Sequence, residues 1–409
     1  MELREGYKKT DAGIIPNDWD VRELGKVAVF TNGKAHEQYI DDNGNYIVVN
    51  SKFISSEGEV AKYSKENLSP LLTGAITMVM SDIPNGKALA KCFLIKQNGK
   101  YTLNQRICSF KPYNASNEFL FYILNRNKYF LAFDSGVGQT NLRKSEVLTC
   151  PIPLPPTKKE QQAIAQALSD AEELITSLEK LITKKRNIKQ GAMQELLTGK
   201  KRMPGFNGKR EVKQMGEIGK PYGGLSGKSK TDFENGTYHY IPFLNILNNP
   251  VIDTSYFDYV NIRSDETQNQ AMRGDLFFNG SSETPEEVGM CSVLLEDIPN
   301  LYLNSFCFGF RLNKELKTEG LFLSYFFRSK VGRKLFFSLA QGATRYNLSK
   351  YNFMKMEIPF PKPEEQTAIA QVLSDMDAEI ETLEQKLNKY RMVKQGMMQE
   401  LLTGKKRLI

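Results

Sequence analysis

The chain carries the same segment twice, and this repeat constrains its fold more than any other feature. Residues 160–202 and 365–407 align without a gap at a separation of 205 positions, and 27 of the 43 aligned residues are identical. The last ten residues of each copy, MQELLTGKKR, match completely. A variable block of similar length precedes each copy. The chain therefore alternates two variable blocks with two near-identical segments, which is the organisation of an internal repeat.

Both copies have apolar residues at alternating spacings of four and three, the heptad pattern of a helix that packs along another helix. Proline-rich segments at 151–156 and 359–363 limit where each helix can begin, and Gly199 and Gly404 are expected to end them. Each helix is then about 40 residues, or roughly 60 Å, long. The residues of this predicted helix–helix seam are Ile164, Leu168, Ile175, Leu178 and Ile182 in the first copy, and Ile369, Leu373, Met376, Ile380, Leu383 and Leu387 in the second.

The charge pattern predicts how the two helices pair. Acidic residues concentrate in the front half of each copy and basic residues in the rear half. An antiparallel pair places acid beside base and agrees with the helix dipoles, whereas a parallel pair places acid beside acid. We expect an intramolecular antiparallel pair that relates the variable blocks by pseudo-two-fold symmetry and brings the chain termini together at one end. The alternatives are that each helix packs on its own domain or on another protein.

The two variable blocks share an order of short motifs more than a sequence. Residues 19–25 (WDVRELG) resemble 210–216 (REVKQMG), and both blocks continue with short β-rich runs followed by aromatic helical stretches at 119–133 and 321–339. A chain of 409 residues also exceeds one ordinary core. The predicted fold class is α+β, with two globular α+β domains separated by two long antiparallel coiled-coil helices. The expected bounds are 1–155 and 201–362 for the domains, and 156–200 and 363–409 for the helices.

Composition narrows the class of protein without deciding it. The net charge of +8 suits an anionic partner, but it suits a slightly basic soluble protein equally well. Five dispersed cysteines without a CxxC pair are typical of reduced thiols in the cytosol. The polar N-terminus is no signal peptide, and no apolar run reaches the length of a membrane span. We expect a soluble, cytoplasmic protein.

The sequence offers no catalytic or metal-binding motif. The two histidines, His36 and His239, lack a metal-ligand spacing, and no hydrolase, metalloprotease or S-adenosylmethionine motif is present. The segment 223–229 (GGLSGKS) imitates a phosphate loop, but Tyr222 stands where the first glycine is required. A basic loop that touches a nucleic-acid backbone and a plain surface loop are the two remaining interpretations. We predict no metal, no cofactor and no catalytic residue.

The whole pattern resembles the specificity subunit of type I restriction–modification enzymes. It consists of a variable block, a helix ending QGxMQELLTGKKR, a second variable block, a matching helix, and the opening IPxDWxVxxLG at 15–25. The resemblance implies a non-catalytic DNA-binding subunit whose two target-recognition domains each read one half of a bipartite double-stranded DNA site. It further implies that the helices set the spacer length and dock the methyltransferase (modification) subunits, which restriction subunits then join.

Base reading uses Arg, Lys, Asn, Gln, Ser and Thr side chains at groove edges, with phosphate contacts for register. The DNA-binding candidates of the first block are Asn32, Lys34, Asn50, Lys52, Asn104, Gln105, Arg106, Gln139, Thr140, Asn141 and Arg143. Those of the second block are Lys228, Ser229, Lys230, Asn245, Asn279, Ser281, Ser282, Thr344, Arg345, Tyr346 and Asn347. The competing hypotheses are a nuclease or methyltransferase whose site is unrecognised, and a coiled-coil scaffold that binds only proteins.

Overall fold

The sequence folds into two units, each of which contains one variable block and parts of both repeat segments. The computed structural model describes residues 5–84, 86–113, 115–234, 236–342 and 346–408. Unit 1 comprises residues 1–178 and 386–409, and unit 2 comprises residues 179–385. The repeat segments therefore contribute to both units.

A four-stranded antiparallel sheet forms the centre of unit 1, and a strand such as Ile76–Val79 is buried at every position. In spatial order its strands are Ala28–Asn32, Ile107–Pro112, Ile76–Val79 and Cys92–Leu94. A second sheet has the order Tyr101–Leu103, Tyr46–Val49 and Tyr63–Ser64, and its first two strands are parallel. Two-stranded ladders pair Tyr7–Thr10 with Gly13–Pro16, Asp20–Glu23 with Pro151–Leu154, and Ser81–Asp82 with Thr140–Asn141.

Four short helices complete the first variable block. They span Ser51–Ser55, Asn117–Leu124, Lys128–Leu131 and Lys144–Leu148, with 3₁₀ turns at Leu24–Lys26 and Glu37–Tyr39. The helical stretch predicted at 119–133 is thus divided in two. Arg126 adopts a left-handed φ of 57°, and the Asn127 side chain caps the second helix by accepting from the Tyr129 N–H at 2.9 Å. An asparagine cap inside an apolar stripe breaks the helix there.

Unit 2 repeats this topology with different side chains. Its four-stranded antiparallel sheet has the order Gly219–Gly223, Cys307–Leu312, Leu276–Asn279 and Cys291–Val293. A three-stranded sheet has the order Asp258–Val260, Tyr238–Ile241 and Leu301–Leu303, with the last two strands parallel. The remaining ladders pair Glu211–Gln214 with Glu357–Phe360, and Tyr346–Leu348 with both Ser281–Ser282 and Ala340–Gln341.

The short helices of unit 2 follow the same order along the chain. They span Met215–Ile218, Lys230–Glu234, Phe243–Asn248, Gly320–Arg328, Lys330–Leu339 and Lys350–Met354, with a 3₁₀ turn at Lys314–Leu316. The stretch predicted as helical at 321–339 breaks at Ser329, whose backbone is extended and whose hydroxyl accepts from the Gly332 N–H at 3.3 Å. The core between sheet and helices is rich in phenylalanine, with stacked or edge-to-face rings around Phe278.

The repeat segments form the two long helices that the heptads predict. The first long helix spans Lys158–Leu196 and the second Pro363–Leu401, each of 39 residues, or about 58 Å. Gly199 and Gly404 follow with φ of +76° and +68°, as expected for C-terminal caps. The proline-rich segments do more than limit the helices. Pro151–Leu154 is a strand that pairs with Asp20–Glu23, and Glu357–Phe360 is a strand that pairs with Glu211–Gln214.

Ion pairs within each unit confirm that the long helices run antiparallel. In unit 2, Lys185 pairs with Glu379 at 2.6 Å, Lys189 with Asp377, and Arg202 beyond the helix end with Glu365 at 2.7 Å. In unit 1, Glu172 pairs with Lys394, and Glu160 pairs with Arg407. The residue numbers rise on one helix as they fall on the other, and acid meets base as the charge pattern predicts.

The predicted seam residues divide between domain cores and helix–helix packing. Ile164 and Leu168 are buried in the core of unit 1 together with Leu401, and Ile369 and Leu373 are buried in the core of unit 2 together with Leu197. Leu178, Ile182, Ile380 and Leu387 are also buried, whereas Ile175, Met376 and Leu383 are half-buried. The front of each long helix therefore packs on the domain that precedes it as well as on the other helix.

Residues near the two ends of the chain contact each other within unit 1. Arg407 donates to both Asp18 carboxylate oxygens at 2.9 and 3.0 Å and lies over the Trp19 ring. The Tyr7 hydroxyl donates to the Gly404 and Lys405 carbonyls at 3.2 Å. The N-terminal opening thus completes the second repeat, as the sequence predicts. Among the described residues, no helix has both the length and the apolar character needed to cross a membrane.

Candidate nucleic-acid interface

In unit 1, the ends of several strands form one continuous edge, which we call rim 1 (residues 32–34, 80–82, 104–106 and 139–143). The Gln105 N–H donates to the Lys34 carbonyl at 2.9 Å, which joins the first loop to the third. The Met80 N–H donates to the Arg106 carbonyl at 3.0 Å, and the Leu142 N–H donates to the Met80 carbonyl at 2.8 Å. The structure therefore brings together loops that are up to 110 residues apart in the sequence.

Backbone geometry explains why these loops approach so closely. A Cβ atom at Gly33 would lie 1.9 Å from the Asn104 carbonyl oxygen, so only glycine fits there. Arg106 adopts a left-handed φ of +68°, which turns the chain between two strands. His36 supports the first loop from below, since its Nδ1–H donates to the Lys34 carbonyl at 2.7 Å and its Nε2 accepts from the Thr102 hydroxyl at 2.8 Å. This histidine is buried and structural.

Most candidates of the first block present their side chains to solvent along rim 1. The exposed ones are Asn32, Lys34, Gln105, Arg106, Gln139, Asn141 and Arg143. The Gln105 side chain already has a partner in the protein, because its amide donates a hydrogen bond to the Glu37 carboxylate at 2.6 Å. Thr140 is buried, and its hydroxyl donates to Asp134 at 3.0 Å. Rim 1 therefore offers cations and amides on one edge, which is the chemistry that phosphates and base edges require.

The other candidates of the first block lie next to rim 1 in different environments. Asn50 caps the helix Ser51–Ser55 by accepting from the Phe53 N–H at 2.9 Å, while Lys52 in that helix is exposed. Asn104 is half-buried, and its Oδ1 atom finds no hydrogen-bond donor among the described residues. This oxygen is itself buried, so it is an acceptor without a donor beneath the surface of rim 1.

Unit 2 has an equivalent edge, rim 2 (residues 223–226, 280–282, 304–306 and 346–348). The Leu225 N–H donates to the Leu303 carbonyl at 2.8 Å, and the Gly280 N–H donates to the Phe306 carbonyl at 3.0 Å. The Leu348 N–H donates to the Gly280 carbonyl at 2.9 Å. A Cβ at Gly224 would lie 2.1 Å from the Asn304 carbonyl oxygen, just as at Gly33 in rim 1.

The three candidates from Lys228 to Lys230 lie in different environments. Lys228 is sequestered, with its side chain 3% exposed, where its ammonium pairs with Glu266 and donates to the Asn261 carbonyl at 2.6 Å. The contact of 223–229 with a nucleic-acid backbone stays a prediction, and Lys228 would have to leave its ion pair with Glu266 to take part in it. Ser229 is exposed and donates to Asp232 at 2.7 Å, and Lys230 begins the next helix.

Two asparagines of the second block are structural. Asn245 is fully buried, donates to the Asp253 and Tyr256 carbonyls at 2.9 and 2.7 Å, and accepts from the Asp253 N–H at 2.9 Å. Asn279 is also fully buried, donates to the Glu287 carbonyl at 2.8 Å, and accepts from the Met290 N–H at 2.6 Å. Buried amides with such hydrogen bonds hold loops together, so the structure gives both asparagines a structural role.

The remaining candidates of the second block lie on rim 2 or beside it. Ser281 and Ser282 are buried, and Ser282 donates to the Glu287 carboxylate at 2.8 Å. Tyr346 is half-buried and Asn347 is exposed. Thr344 and Arg345 lie outside the described residues.

Sequence reasoning missed Phe306, which occupies the place in rim 2 that Arg106 occupies in rim 1. Its side chain is 55% exposed, and its N–H donates to the Asn304 side chain at 2.9 Å. The match between Leu103-Asn104 and Leu303-Asn304 could have indicated this position, but phenylalanine was not among the side-chain types sought. The two rims thus share their loop connections, whereas Arg106 has a left-handed φ and Phe306 does not, and the side chains at this position differ in chemistry.

Each domain is joined to the long helices by a matched tyrosine. The Tyr122 hydroxyl donates to Glu172 at 2.9 Å, and that carboxylate pairs with Lys394. The Tyr325 hydroxyl donates to Asp377 at 2.8 Å, and that carboxylate pairs with Lys189. Burial, and then the adjacent carboxylate, raise the pKa of both tyrosines, so both hydroxyls remain donors.

The cysteines, the histidine His239 and the acidic residues are other side chains that could form a site. Among the described residues, no group of three or more His, Cys, Asp or Glu side chains could hold a metal ion. The five cysteines are buried and unpaired, and burial raises the pKa of the Cys150 thiol to about 12. His239 lies in the strand Tyr238–Ile241, with its ring 4.8 Å from that of Tyr259.

Comparison with known proteins agrees with this architecture. Residues 16–190 and 207–390 each match the family of type I restriction modification DNA specificity domains. The chain is 27% identical over 437 residues to the putative type I restriction enzyme MjaX specificity subunit of Methanocaldococcus jannaschii, covering 99% of this chain and 97% of that one. It is 25% identical over 423 residues to the MjaVIII specificity subunit of the same organism, covering 99% and 96%.

Solved structures show the same fold. The type I restriction-modification S subunit from M. genitalium aligns with a TM-score of 0.59 and 16% identity, covering 98% of both chains. A structure from a study of complex assembly in a type I restriction-modification system aligns with a TM-score of 0.58 and 17% identity, covering 95% of this chain and 99% of that one. The chain belongs to the type I restriction-modification DNA specificity family. The family and the fold class predicted from the repeat are both confirmed.

Proposed function

We propose that this chain is the specificity subunit of a type I restriction–modification complex and that each domain reads one half of a bipartite DNA site. The observation that carries the proposal is the pair of rims. Both have the same loop connections and the same obligatory glycine, yet they present different side chains at equivalent positions, such as Arg106 and Phe306. A duplicated reading edge with divergent side chains suits two different half-sites.

The long helices suit a second role, that of fixing the number of base pairs between the half-sites. The proposed division is 1–155 and 201–362 for the target-recognition domains, and 156–200 and 363–409 for the helices. The matched tyrosine contacts support a defined orientation of each domain on the helices that adjoin it. Two linked readers also gain affinity from each other, because the second binding event becomes intramolecular.

The partners proposed for this chain are double-stranded DNA, methyltransferase subunits that dock on the helices, and restriction subunits. We assign the reactions on the DNA to the methyltransferase and restriction subunits. We place the whole complex in the cytoplasm. Membership of the specificity family disfavours both competing hypotheses. The two divergent reading edges also disfavour them, because a nuclease, a methyltransferase or a protein-only scaffold would not require such edges.

Selection from random duplexes tests the proposal. The chain, assembled with its methyltransferase subunit, should enrich two short conserved blocks separated by a constant number of unspecified base pairs. Arg106→Ala should alter the preference in one block only, and Phe306→Ala should alter the other block only. Enrichment of one uninterrupted motif, or changes in both blocks from either variant, would contradict the proposal.

A further inference from the structure

Two apolar side chains stand out at the border of rim 1. Val137 is 85% exposed and Ile83 is 69% exposed, which are the two highest values among the exposed large hydrophobic residues that the structure describes. Scattered surface hydrophobics are ordinary, but such complete exposure of two branched side chains is costly in water.

The loops that carry these side chains are joined to each other. Ser81 pairs with Asn141 and Asp82 pairs with Thr140 in a two-stranded antiparallel ladder, which belongs to rim 1. Ile83 follows this ladder directly, and Val137 precedes it by three residues. The two exposed side chains therefore lie on neighbouring loops beside the same edge.

Both loops are held in shape by a carboxylate. The Asp82 side chain accepts from the N–H groups of Ile83, Ala88 and Leu89 at 2.9, 2.7 and 3.0 Å. The Asp134 side chain accepts from the Gly136 N–H and from the Thr140 hydroxyl, both at 3.0 Å. Residues beside Ile83 and Val137 are thereby anchored, and an anchored position loses less conformational entropy when a partner binds.

The surrounding charge indicates what that partner is. Lys87 is exposed on the loop of Ile83, and Lys34, Arg106 and Arg143 are exposed on rim 1. The carboxylates of the two loops are occupied by their own backbone and hydroxyl donors. An apolar pair beside cations suits a polyanion that also presents an apolar group. In the major groove of DNA, that group is the C5 methyl of thymine.

We propose that Ile83 and Val137 recognise thymine through its C5 methyl group in the half-site read by the N-terminal domain. This inference rests on the proposed function and adds to it a base and two specificity-determining residues. It requires that the half-site selected by the first domain contains thymine. Neither residue is polar, so a search for hydrogen-bonding readers could not find them.

The test is a double-mutant cycle. It combines an alanine substitution in the protein with the removal of one methyl group from the DNA. Each thymine of the half-site is replaced in turn by deoxyuridine, which removes only the C5 methyl, and binding is measured for the complex assembled with its methyltransferase subunit. At one or two positions, the replacement should weaken binding about fourfold, as expected for one methyl lost from an apolar contact. With Ile83→Ala or Val137→Ala, the same replacement should have almost no effect.

The control is Val60→Ala, which truncates another exposed valine of unit 1 and should leave the uridine effect intact. A half-site without thymine, no uridine effect with the unchanged chain, or an equal effect with the alanine variants would overturn the inference. Equal weakening on every DNA sequence would indicate a wedge between bases, and weaker binding of the methyltransferase subunit alone would indicate a protein contact; both results overturn it. Absence of any selective binding would instead contradict the proposed function.

Discussion

The same residue type serves opposite purposes in the two domains. Asn32 and Asn141 are exposed on rim 1, whereas Asn245 and Asn279 are fully buried and tie loops together. An amide can satisfy a backbone donor and a backbone acceptor at once, which makes it equally useful inside a loop and at a base edge. Sequence alone gives no means of separating these cases.

Asn245→Ala should destabilise the protein because it removes a fully buried amide and leaves the Asp253 and Tyr256 carbonyls and the Asp253 N–H without their partner. We expect a loss of about 2–4 kcal/mol in the free energy of unfolding, measured by urea denaturation. Asn32→Ala is the matched control and should change that free energy by less than about 0.5 kcal/mol. Similar effects from the two substitutions would contradict the assigned roles.

The salt dependence of binding distinguishes phosphate contacts from buried ion pairs. Lys52→Ala should weaken binding on all DNA sequences and reduce the slope of log K against log salt by about 1, if Lys52 meets a phosphate. Lys228→Ala should leave that slope unchanged, because Lys228 is held by Glu266. A reduced salt slope for Lys228→Ala would show that the ion pair between Lys228 and Glu266 breaks when DNA binds.

Part of the candidate interface was predictable from residue types and part was not. Lys34, Arg106 and Asn141 follow turn signals and lie on rim 1, as a search for polar residues at strand ends would find. The burial of Lys228 depends on Glu266, which is 38 residues away, so no local pattern indicates it. Ile83 and Val137 are apolar, and the sequence does not distinguish them from core residues.

At the scale of elements, the ends of the long helices are fixed by matched networks of ion pairs and amides. Glu365 accepts from Arg202 at 2.7 Å and from Arg210 at 2.8 Å. The equivalent Glu160 pairs with Arg407. The next residues, Gln161 and Gln366, accept from the Ser116 and Glu319 N–H groups at 2.9 and 3.0 Å. Identical repeat residues thus perform the same task in each unit.

Glu365→Gln should lower stability in a pH-dependent way. Burial tends to raise the pKa of Glu365, but the hydrogen bonds and charges of Arg202 and Arg210 outweigh it and the pKa is lowered. A lowered pKa in the folded state contributes stability above the unfolded value of about 4.3, and that contribution is lost as pH falls through the folded pKa.

We therefore expect Glu365→Gln to cost on the order of 3 kcal/mol near pH 7, since it removes the buried carboxylate that neutralises Arg202 and Arg210. The difference from the unchanged protein should shrink as the pH falls below about 4.3. Urea unfolding at several pH values measures it. A difference that stays constant from pH 7 to pH 3 would contradict the role of the carboxylate charge.

The elements were the most predictable part of the fold. The heptad spacing predicted both long helices and the charge pattern predicted their antiparallel direction, because both patterns repeat over many helical turns. The breaks at Arg126 and Ser329 were not predicted, since a single asparagine or serine cap interrupts an otherwise continuous aromatic pattern. The strands inside the proline-rich segments were also missed, because proline normally argues against strand pairing.

At the scale of the whole molecule, residues near the beginning of the chain complete the second copy of the repeat. Asp18 and Tyr7 complete the end of the second repeat, in the way that residues after the first repeat, such as Arg210, complete the first. Each unit therefore takes its residues from distant parts of the sequence. We expect unfolding of unit 1 to expose both termini together.

The central claim is that the number of helical turns between the domains sets the spacing of the DNA half-sites. Inserting one heptad after both Ile182 and Leu387 preserves the heptad register and lengthens each helix by about 10 Å. Sequence selection from random duplexes with the assembled complex should then return both half-sites unchanged, with a spacer longer by about three base pairs. Altered half-sites with an unchanged spacer would contradict the claim.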